Sequence, residues 1–140
     1  MKVQQSQAGG IGYWVSTGLF ALQMGFTAYA QLCLPQVARV FAHLGFPEYF
    51  RVELSLVKMA GLLVLLLPMA PARLKEWAYA GFAFVLGSAV VAHLAVGDGA
   101  NAWSWAVGTF VLEAVSYYFF RRGPSVSTET AKLASAPLAA

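Results

Sequence analysis

Cysteine is almost missing from this chain: Cys33 stands alone, so no internal disulfide and no CxxC redox pair can form, and electron chemistry would need a bound cofactor or a partner. Charge is scarce too. Acidic and basic residues make up 11% of the 140 residues, against about 25% in a soluble domain. Lysine and arginine number nine against six acids, but no basic run or helical stripe gathers them. That excludes nucleic acid as a partner and suits basic residues facing anionic lipid. Histidine is limited to two residues. His93 and Asp98 stand at i, i+5 with no second histidine near in sequence, so no metal site is expected.

What fills the space is apolar. Hydrophobic residues make up 59% of the chain and the mean hydropathy is +0.65, the composition of an integral membrane protein. Four apolar stretches, at about 11–34, 48–67, 76–96 and 102–120, each approach the roughly 20 residues that a bilayer core needs. Pro35, Pro68 and Pro71, the Gly97-Asp98-Gly99 turn and the Arg121-Arg122 pair separate or close them. Tyr13, Trp14, Trp77, Tyr79, Trp103, Trp105, Tyr117 and Tyr118 sit near their ends as interfacial belts. Between the first two spans, Val37, Val40, Phe41 and Leu44 share one helical face with Arg39 and His43 off it, the pattern of a short helix lying on the membrane. Gly45 is expected as its C′ residue and Pro47 as N1 of the next helix. The expected fold class is all-α: an integral membrane four-helix bundle with a short amphipathic interfacial helix between spans one and two.

The flanks differ. Residues 1–10 form a polar N-terminal segment, and 123–140, rich in Ser, Thr, Ala and Pro, read as a disordered tail. Ala28-Tyr29-Ala30 resembles a signal-peptidase site, but the basic region ahead of it is only Lys2 and Gln23 interrupts the apolar part, so cleavage is not expected. Lys2, Arg73, Lys75, Arg121, Arg122 and Lys132 would share one side and Arg39 and Arg51 the other, which places both termini in the cytoplasm.

Lys58 is the costly residue, because a lysine at a span centre costs about 2.5–3.5 kcal/mol on insertion scales. Counting about 1.5 Å per residue from the cytoplasmic helix ends, Lys58, Glu113 and Gln23 fall at roughly 13, 10 and 17 Å, a middle layer. Glu53 and His93 fall higher, at roughly 21 and 25 Å, with Asp98 just beyond. Glu113 is expected to offset Lys58, with Gln23 satisfying what remains. Either this is a functional site or it is a structural ion pair that fixes helix neighbours. The outer groups suit proton transfer or the orientation of a quinone or similar head group. Tyr117 and Ser116 read as belt and helix-contact residues, Gly81, Gly87 and Ser88 as points of close helix approach, Cys33 as a buried apolar residue, and His43 as interfacial.

Gly45-Phe46-Pro47-Glu48-Tyr49-Phe50, Lys58 with Gly61, the run from Pro71 to Phe82 containing RLKEWAYAGF, and then Gly87, His93, Gly97 and Asp98 together resemble the DoxX-like family of small four-span membrane proteins. The resemblance covers most of the chain from Tyr13 to Tyr118. Leu56 and Val57 stand where members tend to carry Leu-Gly, and the tail has no counterpart. The family takes its name from a subunit of an archaeal thiosulfate:quinone oxidoreductase, and other relatives join membrane oxidoreductase complexes or assist assembly. The resemblance implies a four-helix membrane bundle, recurrent polar positions at Lys58, His93 and Asp98, and a cytoplasmic turn at Arg73, Lys75 and Glu76.

Three functions compete on this reading. In the first, a redox-associated subunit of a bacterial inner membrane binds a quinone-like lipophilic molecule, with Lys58, His93 and Glu53 handling protons or hydrogen-bonding a carbonyl and Gln23 and Asp98 completing the ligand site. In the second, an intramembrane isomerase, cyclase or epoxide-opening enzyme uses Glu53, Glu113 and His93 as acid and base, with Lys58 stabilising an oxyanion. The third is a scaffold or assembly factor whose small residues pack against itself, as a homo-oligomer, or against a membrane oxidoreductase partner. Membrane lipid is a partner in all three.

Overall fold

The computed structural model describes residues 2–123 together with Ala134 and Ser135, and side chains from residue 10 onward. Met1 and the rest of the expected tail lie outside the described residues. Among the described residues the chain is all-helical, with α1 (Lys2–Cys33), α2 (Pro35–His43), α3 (Glu48–Leu66), α4 (Ala72–Ala95) and α5 (Ala100–Arg122), and no strand. The backbone helix of α1 takes in the polar segment ahead of Ile11.

Prolines and glycines place the breaks. Leu34 is extended (φ −98°, ψ 118°), as a residue before proline prefers, and Pro35 opens α2 where its missing N–H costs nothing. At the other end of α2, Gly45 takes φ +81°. Its N–H reaches the Ala42 carbonyl at 3.0 Å, and the Phe46 N–H reaches the Phe41 carbonyl at 2.9 Å. With the Phe41 and Phe46 rings 6.0 Å apart, this is a complete Schellman ending. Gly97, at φ +77°, ends α4 in the same way, with the Asp98 N–H 3.0 Å from the His93 carbonyl. That second ending folds Asp98 back over His93. Pro47 is the N-cap of α3, one position before the expected N1.

Cross-helix hydrogen bonds give order and direction. Tyr13 meets the Leu65 carbonyl while Gln31 meets Ser55 and Lys58, so α1 and α3 are antiparallel. Thr17 meets Ser116 and Gln23 meets Thr109, which sets α5 against α1. Tyr79 with Ser116 and Glu76 with Arg121 set α4 against α5. The four long helices form a ring in the order α1, α3, α4, α5, thinnest at α3–α4, with α2 packed on α3 and α1. Phe20, Met24, Leu62, Leu65, Tyr79 and Phe82 fill the centre. Close approach occurs at Gly61, where a Cβ would lie 2.9 Å from the Phe82 ring, and at Gly12, where it would meet Phe119 at 2.7 Å. Gly81 and Gly87, expected to serve this purpose, face open space instead.

Polarity is arranged inside out. Leu22 is 73% exposed, Leu63 60%, Phe84 77% and Val111 57%, one on each long helix, whereas Thr17, Ser55, Lys58, Glu113 and Ser116 are buried. Water-soluble domains place these residue types the other way round. Among the described residues one helix, α4, is by length and composition long and apolar enough to cross a membrane. α3 carries Glu48, Arg51, Glu53 and Lys58 within its 19 residues.

Candidate functional site

Lys58 is 7% exposed, and its amine donates to Gln31 Oε1 at 3.2 Å. Ser55 Oγ donates to the same oxygen at 3.1 Å, and the Gln31 backbone carbonyl accepts from Arg51 Nη1. Arg51, Ser55 and Lys58 recur at i, i+4, i+7 and so share the face of α3 turned toward α1. Gln31 is the hub of this contact. Sequence reasoning missed Gln31, Arg51 and Ser55; the polar stripe on an otherwise apolar helix was the signal for the last two.

The expected middle layer does not assemble. No ion pair among the described residues joins Lys58 to Glu113, because Lys58 turns to α1 while Glu113 lies between α5 and α4. Gln23 hydrogen-bonds Thr109 on α5, and Thr109 itself donates to the Trp105 carbonyl at 2.8 Å. Glu53 falls on the face of α3 opposite the Arg51-Ser55-Lys58 stripe and is exposed. Cys33, expected to be buried, is exposed as well.

The outer histidine and aspartate do meet. His93 Nδ1 is 2.7 Å from Asp98 Oδ2, and His43 Nε2 is 2.9 Å from Asp98 Oδ1. An ionised carboxylate only accepts, so both rings donate. The hydrogen bond from His93, then that from His43, holds the Asp98 carboxyl below the usual carboxylate range. Asp98 therefore clips the surface helix α2 to the α4–α5 turn. His43 could not be assigned this partner from sequence, since the two lie 55 residues apart. Among the described residues no group of three or more His, Cys, Asp or Glu is placed to hold a metal ion.

Glu113 has the most unusual surroundings. It is 4% exposed, and its Oε2 is buried without a hydrogen-bond partner. The side chain lines a groove of about 250 Å³ between α4 and α5, open on one side, with Tyr79, Ala80, Ala83, Phe110 and Tyr117. A larger groove of about 660 Å³ shares Ala83 and Phe110 and continues past Gly87 and Val91 to Phe46. Lys58 lines a separate groove of about 290 Å³ between α3 and α4. One level away from Glu113, Ser116 ties three helices together, 2.6 Å from both Thr17 and Tyr79.

Fold and site together define a small all-helical protein with polar groups gathered inside and apolar faces turned out. The chain belongs to the DoxX-like family, whose model matches residues 15–116, a stretch reaching from α1 into α5. Membership implies a small membrane protein in contact with lipid. No curated protein and no solved structure matches the chain.

Proposed function

We propose that the chain spans a bilayer four times, through α1, α3, α4 and α5, and holds the polar head of a lipophilic, quinone-like molecule against Glu113. The inverted polarity supports four spans, since intramembrane ionisable groups turn to the bundle interior. α2 then lies on the outer interface, and the basic residues put both termini in the cytoplasm of a bacterial inner membrane.

One observation carries the ligand reading: a buried carboxyl oxygen with no partner, at the wall of an open groove. Such atoms are few in native proteins, and each costs about 1–3 kcal/mol unless something bonds it. A cavity of about 150 Å³ holds one benzene, so the 250 Å³ groove takes a single substituted ring. The continuation past Val91 to Phe46 takes an apolar tail. A carboxyl group accepts from a quinol hydroxyl when ionised and donates to a quinone carbonyl when protonated. Glu113 thereby takes the contact role that the sequence assigned to Lys58, His93 and Glu53.

The acid–base alternative lacks a common centre. Glu53 faces outward, and His93 stands about 15 Å further along α4 than Ala83, which lines the Glu113 groove. The scaffold reading has a specific observation in its favour: the bundle centre is filled, and Gln31 accepts from both Lys58 and Arg51, tying α3 to α1. Titrating an alkyl-tailed benzoquinone into the protein in lipid nanodiscs separates the two. Ala83→Phe, which plugs the groove, and Glu113→Leu should each weaken binding about tenfold or more, the worth of one hydrogen bond. Wild-type affinity in both variants would overturn the ligand reading and leave the scaffold.

A further inference from the structure

A different cavity, of about 280 Å³, opens at the opposite end of α4 from Asp98, lined among others by Tyr13, Trp14, Pro68, Lys75, Phe119 and Gly123. Lys75 is 6% exposed. Its amine donates to the Tyr13 hydroxyl at 3.2 Å and to the Leu65 carbonyl at 3.3 Å. An ammonium has three donors, and these two neutral acceptors leave one unused. No ion pair among the described residues includes Lys75; the neighbouring Glu76 carboxylate binds Arg121 at 2.7 Å instead.

Part of this is helix capping, because Leu65 belongs to the last turn of α3 and its carbonyl needs a donor. Capping does not require a cation. Tyr13 already donates to that carbonyl at 3.2 Å. Arg73 and Lys75 occupy the first turn of α4, which holds no acidic residue in its first turn, and cations there oppose the helix dipole. With Arg121 and Arg122 ending α5, the α3–α4 turn and the two helix ends beside it set Arg73, Lys75, Arg121 and Arg122 against the acid Glu76. A buried cation in an open, mostly apolar cavity, within a basic rim, is complementary to an anion carried on an apolar body.

We propose that the cavity beside Lys75 binds the phosphate of an anionic phospholipid, with Nζ donating its remaining hydrogen to a phosphate oxygen and Trp14, Pro68 and Phe119 packing on the upper acyl chain. The site is distinct from the Glu113 groove and stands whether or not that groove holds a ligand. The test uses the full chain in nanodiscs of phosphatidylcholine with and without phosphatidylglycerol, bound lipid being counted by native mass spectrometry. The wild type should retain one phosphatidylglycerol in preference to phosphatidylcholine. Lys75→Met should lose about fivefold in that preference, the worth of one lysine at an anionic surface, and Lys75→Arg should keep most of it. Full retention in Lys75→Met overturns the lipid site. Displacement of the bound lipid by excess inorganic phosphate also overturns it and assigns the cavity to free phosphate. Should Lys75→Met fail to fold, brominated phosphatidylglycerol decides: it should quench wild-type fluorescence more than brominated phosphatidylcholine, a difference lost in Trp14→Phe. Equal quenching by the two lipids refutes the site.

Discussion

Removing the Gln31 amide tests how this bundle accommodates Lys58. Gln31→Leu keeps the size of the side chain but deletes the oxygen that accepts from Lys58 at 3.2 Å and Ser55 at 3.1 Å. Ser55 retains the Arg51 carbonyl at 3.1 Å, so its loss is small. Lys58 has no other hydrogen bond among the described residues, and the stabilisation at stake lies between two limits. Polar contacts between membrane helices average about 0.6 kcal/mol, and hydrogen bonds to charged groups reach about 3 kcal/mol. A coupling of about 1–2 kcal/mol between positions 31 and 58 is expected. The assay is a double-mutant cycle of Gln31→Leu and Lys58→Met, with unfolding followed in micelles by denaturant titration. The double variant should be more stable than the sum of the single losses implies, because no amine is then left without its acceptor. Additive losses within about 0.3 kcal/mol would refute the Gln31–Lys58 contact as the means by which the lysine is tolerated.

Other consequences are equally direct. Leu63→Lys, on a face 60% exposed, should cost about 2.5–3.5 kcal/mol in an insertion assay if that face meets lipid; a change under about 0.5 kcal/mol, as on a wetted surface, would sink the four-span placement. Gly61→Ala drives a methyl into Phe82 and should destabilise by about 1–3 kcal/mol, while Gly81→Ala should be neutral or slightly stabilising, both read from unfolding midpoints. The Asp98 carboxyl is depressed in the fold, so its contribution is fully present above the ordinary carboxylate value of about 3.9 and fades as pH falls through its lower folded value. Spin labels on α2 and the α4–α5 turn should therefore report α2 fixed at neutral pH and released only as the pH falls through the lowered value of the Asp98 carboxyl, and a wild-type profile in Asp98→Asn would refute the clip.

Much of the architecture was legible in the residues. Apolar runs of bilayer length and their proline and glycine breaks placed α3 within one residue, 48–67 expected against Glu48–Leu66 found, and Gly45 ended α2 as its position suggested. These are local matters: a missing N–H at proline, a freely reached positive φ at glycine, a length set by rise per residue. The family was legible too, through the RLKEWAYAGF run and the histidine and aspartate after it. The partners of the polar groups were not. Depth arithmetic placed Lys58, Glu113 and Gln23 at neighbouring heights, but height says nothing about rotation about each helix axis. Packing turned Lys58 to Gln31, Gln23 to Thr109 and Glu113 into a groove where its Oε2 has no hydrogen-bond partner. Composition and spacing thus determined which groups must be hidden from hydrocarbon; only the order and rotation of the packed helices decided what each one faces, because a hydrogen bond needs its partner within about 3 Å and sequence separation carries no such distance.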